Sequence, residues 1–157
     1  MDVLAENEGK VYARATINRR DAFTSPFSGA LFPCLIWDHD GHLTDAERSA
    51  IAKALLAAGC RYAVCDGRNC AGWHDAVDAE FVKAHIDDPK VVWESAHVMT
   101  TWHDGESPDD DAFFFVLNTA FDDYDFKLYL VLHIGTGPIR DQVDAAVRKY
   151  ALSKNAV

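Results

Sequence analysis

Apolar runs of strand length alternate with stretches of helical spacing along most of this chain, and that alternation restricts the fold more than any other feature. Val11 to Ile17 alternates apolar and polar positions. Leu31 to Trp37 is a continuous apolar run broken by Pro33, and Arg61 to Cys65, His97 to Trp102 and Lys127 to Ile134 read as further strands. Between them the helical signals are specific. Thr44 and Glu47 stand at capping-box spacing, which predicts a helix with Ile51, Leu55 and Ala58 inward and Gly59 at its end. A loop carrying Cys70 and Gly72 precedes a helix from about Asp75 to Ile86, stopped by Asp87-Asp88-Pro89. Val91 to Glu94 reads as a short strand or extended connector. Ser107 before Pro108 starts another helix, whose Phe113 to Leu117 segment is apolar on more than one face and predicts cover from both sides. Ile139, Val143, Ala146 or Val147 and Tyr150 line a last helix.

The order is one strand followed by four strand-helix repeats. It predicts a single α/β domain over residues 1–157, a three-layer α/β/α sandwich with a mostly parallel sheet of about five strands, Rossmann-like or flavodoxin-like. The N-terminal strand is the natural antiparallel edge, and residues 1–10 and 153–157 are expected to fray.

Composition narrows the partners. A formal net charge of −10 repels phosphate backbones and anionic lipid, so nucleic acid and membrane are not expected and a basic protein is. The acidic N-terminal segment has no apolar core of the kind a secretory signal needs, and Cys34, Cys60, Cys65 and Cys70 are sparse, which together predict a reduced cytoplasmic protein.

Three tryptophan clusters gather the chemistry: Trp37-Asp38-His39, Trp73-His74-Asp75 and Trp102-His103-Asp104. In a parallel sheet, strand C-termini share one rim, where ligands bind. His39, Asp66, His103 and Asp104 are therefore the candidate acid-base groups, with His39, His103 and Asp104 also the candidate metal ligands. Adjacent histidine and aspartate on an extended segment point to opposite faces, so no single cluster chelates by itself, and no cofactor is expected. Asp38, Trp73, His74, Trp102, Phe114 and Asp123 are candidate binding residues. Cys70, the more exposed thiol, has His74 four residues on. Gly135-Thr136-Gly137 has the look of a phosphate loop but lacks a neighbouring lysine, and Pro138 makes a tight turn into a helix the simpler reading.

Phe32, the Gly59-Cys60-Arg61-Tyr62 turn, Cys70 through Asp78 and Val98 through Asp104 resemble a small bacterial domain family of unknown function, over roughly residues 31–135. The resemblance implies a bacterial cytosolic protein and no reaction. The residues themselves favour an acidic binding protein, an inhibitor or immunity-type protein masking a basic partner, because Asp109-Asp110-Asp111 and Asp122-Asp123 bracket the phenylalanines. The alternative is a small hydrolase or metal-dependent enzyme using the rim. A nucleotide-binding module at Gly135 to Pro138 is the third reading.

Overall fold

The computed structural model runs β1 (Asp2–Asn7), β2 (Lys10–Ile17), β3 (Phe32–Asp38), α1 (Asp45–Ala58), β4 (Cys60–Gly67), α2 (Cys70–His85), β5 (Met99–Trp102), α3 (Pro108–Asn118), β6 (Leu128–Ile134) and α4 (Arg140–Leu152). It describes residues 1–87, 97–121 and 124–153, so the expectations for Val91 to Glu94, Asp123 and residues 154–157 lie outside the described residues.

The strands form one six-stranded sheet in the order β1-β2-β6-β3-β4-β5, with β1 antiparallel to β2 and every other pair parallel. This is the expected α/β fold with an antiparallel edge. The edge itself is Asp2–Asn7, a segment expected to fray. Glu8 and Gly9 both have positive φ, 50° and 76°, as a two-residue turn of the primed type requires, and they fold β1 back on β2. The helix α4 then holds the edge: Arg148 donates to the Leu4 carbonyl and Asn7 to the Ala151 carbonyl.

Both faces are covered. The helices α1 and α2 pack Ile51, Leu55, Trp73 and Val77 on Cys34, Ile36, Cys65 and Leu132. On the opposite face α3 and α4 pack Phe115, Val116, Val143 and Val147 on Leu35, Trp37, Val64 and Val131. The capping box of α1 is complete, the Thr44 hydroxyl accepting from the Glu47 amide at 3.2 Å and Glu47 accepting from the Thr44 amide at 2.8 Å. The second helix starts at Cys70 rather than near Asp75, and its N-cap Asn69 makes no side-chain cap bond, so the usual start signal is missing. Cys70 and Gly72 are therefore helical. In α3 Phe115 and Val116 are buried, whereas Phe113 and Leu117 are exposed, so its expected cover on both sides is not found among the described residues. No helix among the described residues is long and apolar enough to cross a membrane.

Candidate active site

Five parallel strands end on one rim, and the order in which the chain adds them reverses there, changing sides between β3 and β6. From β3 the chain steps outward to β4 and β5, then returns through α3 to place β6 on the other side of β3. Sheets of this kind leave a crevice at such a reversal, because the connections leave in opposite directions.

The register sets what fills it. Thr16 pairs with His133, His133 with Trp37, and Trp37 with Asp66. His103 continues the row, its amide donating to the Cys65 carbonyl at 3.0 Å. Neighbouring strands lie about 4.8 Å apart, so Trp37 holds His133 and Asp66 roughly 10 Å from each other. Two polar clusters thus share one face under α3 and α4, with a tryptophan between them.

In the first cluster His39 Nε2 lies 2.9 Å from His133 Nδ1, and His133 Nε2 lies 2.9 Å from Asp144 Oδ1. His133 and Asp144 are fully buried. Asp144 Oδ2 accepts from Arg14, which also binds Asp2. Burial acts to raise the Asp144 carboxyl, but hydrogen bonds from His133 and Arg14 outweigh it and hold the group below its ordinary range. Arg14 already balances that carboxylate, and the neutral form of His133 is the one that needs no further counter-charge. Its Nε2 donates to Asp144, its Nδ1 accepts, and His39 must donate from Nε2. The lone pair of His39 Nδ1 is left over. Among the described residues Nδ1 has no hydrogen-bond partner, and burial, followed by His133 and Arg140 nearby, lowers the basicity of His39 below the usual imidazole range. A Cβ at Gly137 would sit 2.7 Å from this nitrogen, so glycine there lets the chain pass close to the His39 ring.

His39 opens on a cleft of about 310 Å³ bounded by Trp37, Gly67, Arg68, Pro138 and Ile139. Arg68 is exposed and forms no ion pair among the described residues. The cleft depends on close passage of two strand ends: Gly67 has φ +79°, and a Cβ there would collide with the Asp38 carbonyl oxygen. A second cleft of about 310 Å³, walled by Phe23, Leu43, Ile51 and Ala54, contains no histidine.

The second cluster joins Asp66, His103 and Asp111, with one ligand atom of each within 4.8 Å of the others. His103 Nδ1 lies 2.6 Å from Asp111 Oδ1 and 3.4 Å from Glu106 Oε2. Burial pushes the Asp66 carboxyl up to about 7, and the neighbouring Glu106 and Asp104 carboxylates add to the rise.

The sequence candidates divide between these arrangements. His39 belongs to the first cluster, Asp66 and His103 to the second, and Asp104 is exposed outside it. Phe114 packs edge-on against the His103 ring at 4.8 Å. Asp38 points to the other face, as strand alternation requires. It is fully buried and accepts from Trp73 Nε1 and the Gly41 amide, each at 2.8 Å, so Trp73 lies in the core and ties the strand end to α2. His74 and Trp102 pack edge-on at 4.6 Å, with Trp102 50% exposed. Cys70 is buried, as are the other three free cysteines, and burial raises its thiol, opposite to what a nucleophile needs. At Gly135 the Asp40 carboxylate stands where a Cβ would be, which sets a negative charge where a phosphate loop needs positive ones.

Arg14, Asp111, His133 and Asp144 are not among the sequence candidates. One signal for them is present: Asp144 interrupts the buried side of α4 next to Val143, where an unpaired carboxylate has no place.

The model of a family described as a domain of unknown function (DUF7684) matches residues 15–150. No curated protein and no solved structure matches the chain.

Proposed function

The chain belongs to the DUF7684 family, and we propose that it is a small hydrolase in which His39 acts as general base on an ester carrying a negative charge. The observation that carries this reading is the closed chain Arg14–Asp144–His133–His39 at the sheet reversal, which ends in one uncommitted imidazole nitrogen beside a cleft.

The residues divide the work. Asp144 and His133 fix the tautomer of His39, so Nδ1 is the basic atom and Nε2 is engaged. Water in the cleft gives a proton to Nδ1 while its oxygen bonds to the ester carbon. When the carbon-oxygen bond to the leaving group breaks, that oxygen takes the proton back from Nδ1. The imidazolium formed between the steps keeps its Nε2–H bond to His133 and lies at the partly exposed end of the chain of groups. Arg68 supplies the positive charge that orients the acid group of the substrate.

The test uses two chromogenic substrates, the p-nitrophenyl monoester of succinate and neutral p-nitrophenyl acetate. Expected are turnover of the charged ester that falls at least ~100-fold in His39→Ala, and a KM raised in Arg68→Ala for that ester alone. Rates equal to those of His39→Ala for the wild-type protein overturn the reading.

A second reading, an acidic protein that docks a basic partner, has one observation in its favour. On α3, Phe113 and Leu117 are 45% and 39% exposed beside the exposed Asp109 and Asp110. Cross-linking in native lysate at low and high salt, with Phe113→Ser as the control, tests it: a partner lost with salt and with the variant is expected, and its absence at low salt refutes this second reading.

A further inference from the structure

The two clusters flanking Trp37 differ in charge balance. In the first, the buried Asp144 carboxylate is matched by the Arg14 guanidinium. In the second, Asp66 and Asp111 meet His103 with Glu106 close by, and no lysine or arginine pairs with either aspartate among the described residues. Asp111 is 0% exposed and Asp66 3%. Each has one oxygen committed, Asp111 Oδ1 to His103 and Asp66 Oδ1 to the Gly67 amide. The other oxygen of each, Oδ2, is buried without a hydrogen-bond partner. Leaving a buried carboxylate oxygen unsatisfied is costly, and a cation held between two of them beside the same histidine would relieve both.

We propose that Asp66, His103 and Asp111 form a binding site for one divalent metal ion. The ligand set, one imidazole and carboxylate oxygens, suits manganese, iron(II) or zinc better than the thiolate-seeking ions. His103 Nδ1 is the coordinating nitrogen, because it is the one facing Asp111 and Glu106; the ion replaces the proton that Nδ1 shares with Asp111. Glu106, half exposed, closes the site on the solvent side.

The fold presets this geometry from three elements. Asp66 stands at the end of β4, and His103 follows β5 in the same row. Asp111 comes from the first turn of α3, whose start is fixed by Ser107 accepting from the Asp110 amide and by Pro108. The edge of the Phe114 ring holds the imidazole in place. The site is independent of His39, which lies on the far side of Trp37.

The experiment is titration of the metal-stripped full chain with manganese(II) chloride, read by calorimetry and by paramagnetic broadening of imidazole proton signals in NMR. Expected is one ion per chain, with His103 broadened most and His133 less. Asp111→Asn and His103→Gln should each weaken binding at least ~10-fold, while Asp104→Asn and His39→Ala bind as wild type does. Broadening needs no variant, so the outcome stands even where a substitution impairs folding. Absence of stoichiometric binding at about 1 mM, broadening centred away from His103, or loss of binding in Asp104→Asn equal to that in Asp111→Asn overturns the site. Failure of ester turnover alone leaves it standing, and His39→Ala separates the two.

Discussion

Replacing Asp144 by asparagine probes the buried chain that sets the tautomer of His39. The substitution preserves shape and removes one charge. The new side-chain carbonyl can still accept from His133 Nε2, which holds the 2.9 Å contact, but the amide nitrogen then faces the Arg14 guanidinium as donor against donor. Removing one partner of a buried ion pair costs about 3–5 kcal/mol. Arg14 is 25% exposed and keeps Asp2, so solvent recovers part of that. A loss of roughly 2–3 kcal/mol remains, equivalent to a Tm lower by about 4–12 °C for a chain of this size. The pH dependence has a definite sign. The Asp144 carboxyl is held below its unfolded value, so its stabilisation is complete above the unfolded value of about 4 and is lost as pH falls through the folded one. Urea unfolding of wild type and variant from pH 8 to pH 3 should therefore show a constant gap down to about pH 5 that closes below it. The same samples report on function: ¹H–¹⁵N correlation spectra should give His39 as the Nε2–H tautomer in wild type and a mixture in the variant. Stabilities equal within about 0.5 kcal/mol at pH 7, or a gap unchanged at pH 3, refute the reasoning.

Three further outcomes are expected. Gly67→Ala should cost at least ~2 kcal/mol in urea unfolding, because it strains a left-handed residue and collides with the Asp38 carbonyl. Trp73→Phe takes the indole donor from the buried Asp38 carboxylate and should cost about 1–3 kcal/mol; a Tm equal to wild type would show that Asp38 finds another donor. The four cysteines are buried, so a thiol-reactive chromogen should react with none of them in the native protein and with all of them in urea.

The α/β alternation, the capping box at Thr44 and the proline-started helix at Ser107 are legible in the sequence because each is a local signal. The first strand is not. Glu8-Gly9 is a weaker turn signal than Asn-Gly, and the order of Leu4 and Asn7 comes from α4, more than 140 residues along the chain. The start of α2 is hidden for want of a capping side chain at Asn69. For the site, the rim position of His39, Asp66 and His103 follows from strand ends. Their partners do not: Asp111 reads as an ordinary helix acid, and Asp144, though it interrupts the buried side of its helix, points to no particular partner until the register of β6 sets it against His133.

The strand β2 pairs with β1 and, on its parallel side, with β6 alone. On the ribosome the β1-β2 hairpin must therefore wait, its parallel edge unpaired, until residues 128–134 have emerged more than a hundred residues later. Closing so distant a contact is slow and comes late. Arg14 rides on that hairpin and Asp144 on the last helix, so the buried charge pair behind His39 forms only when both ends of the domain have docked. A chain lacking either of these segments would carry the histidine without the charge pair that the proposed general-base role relies on.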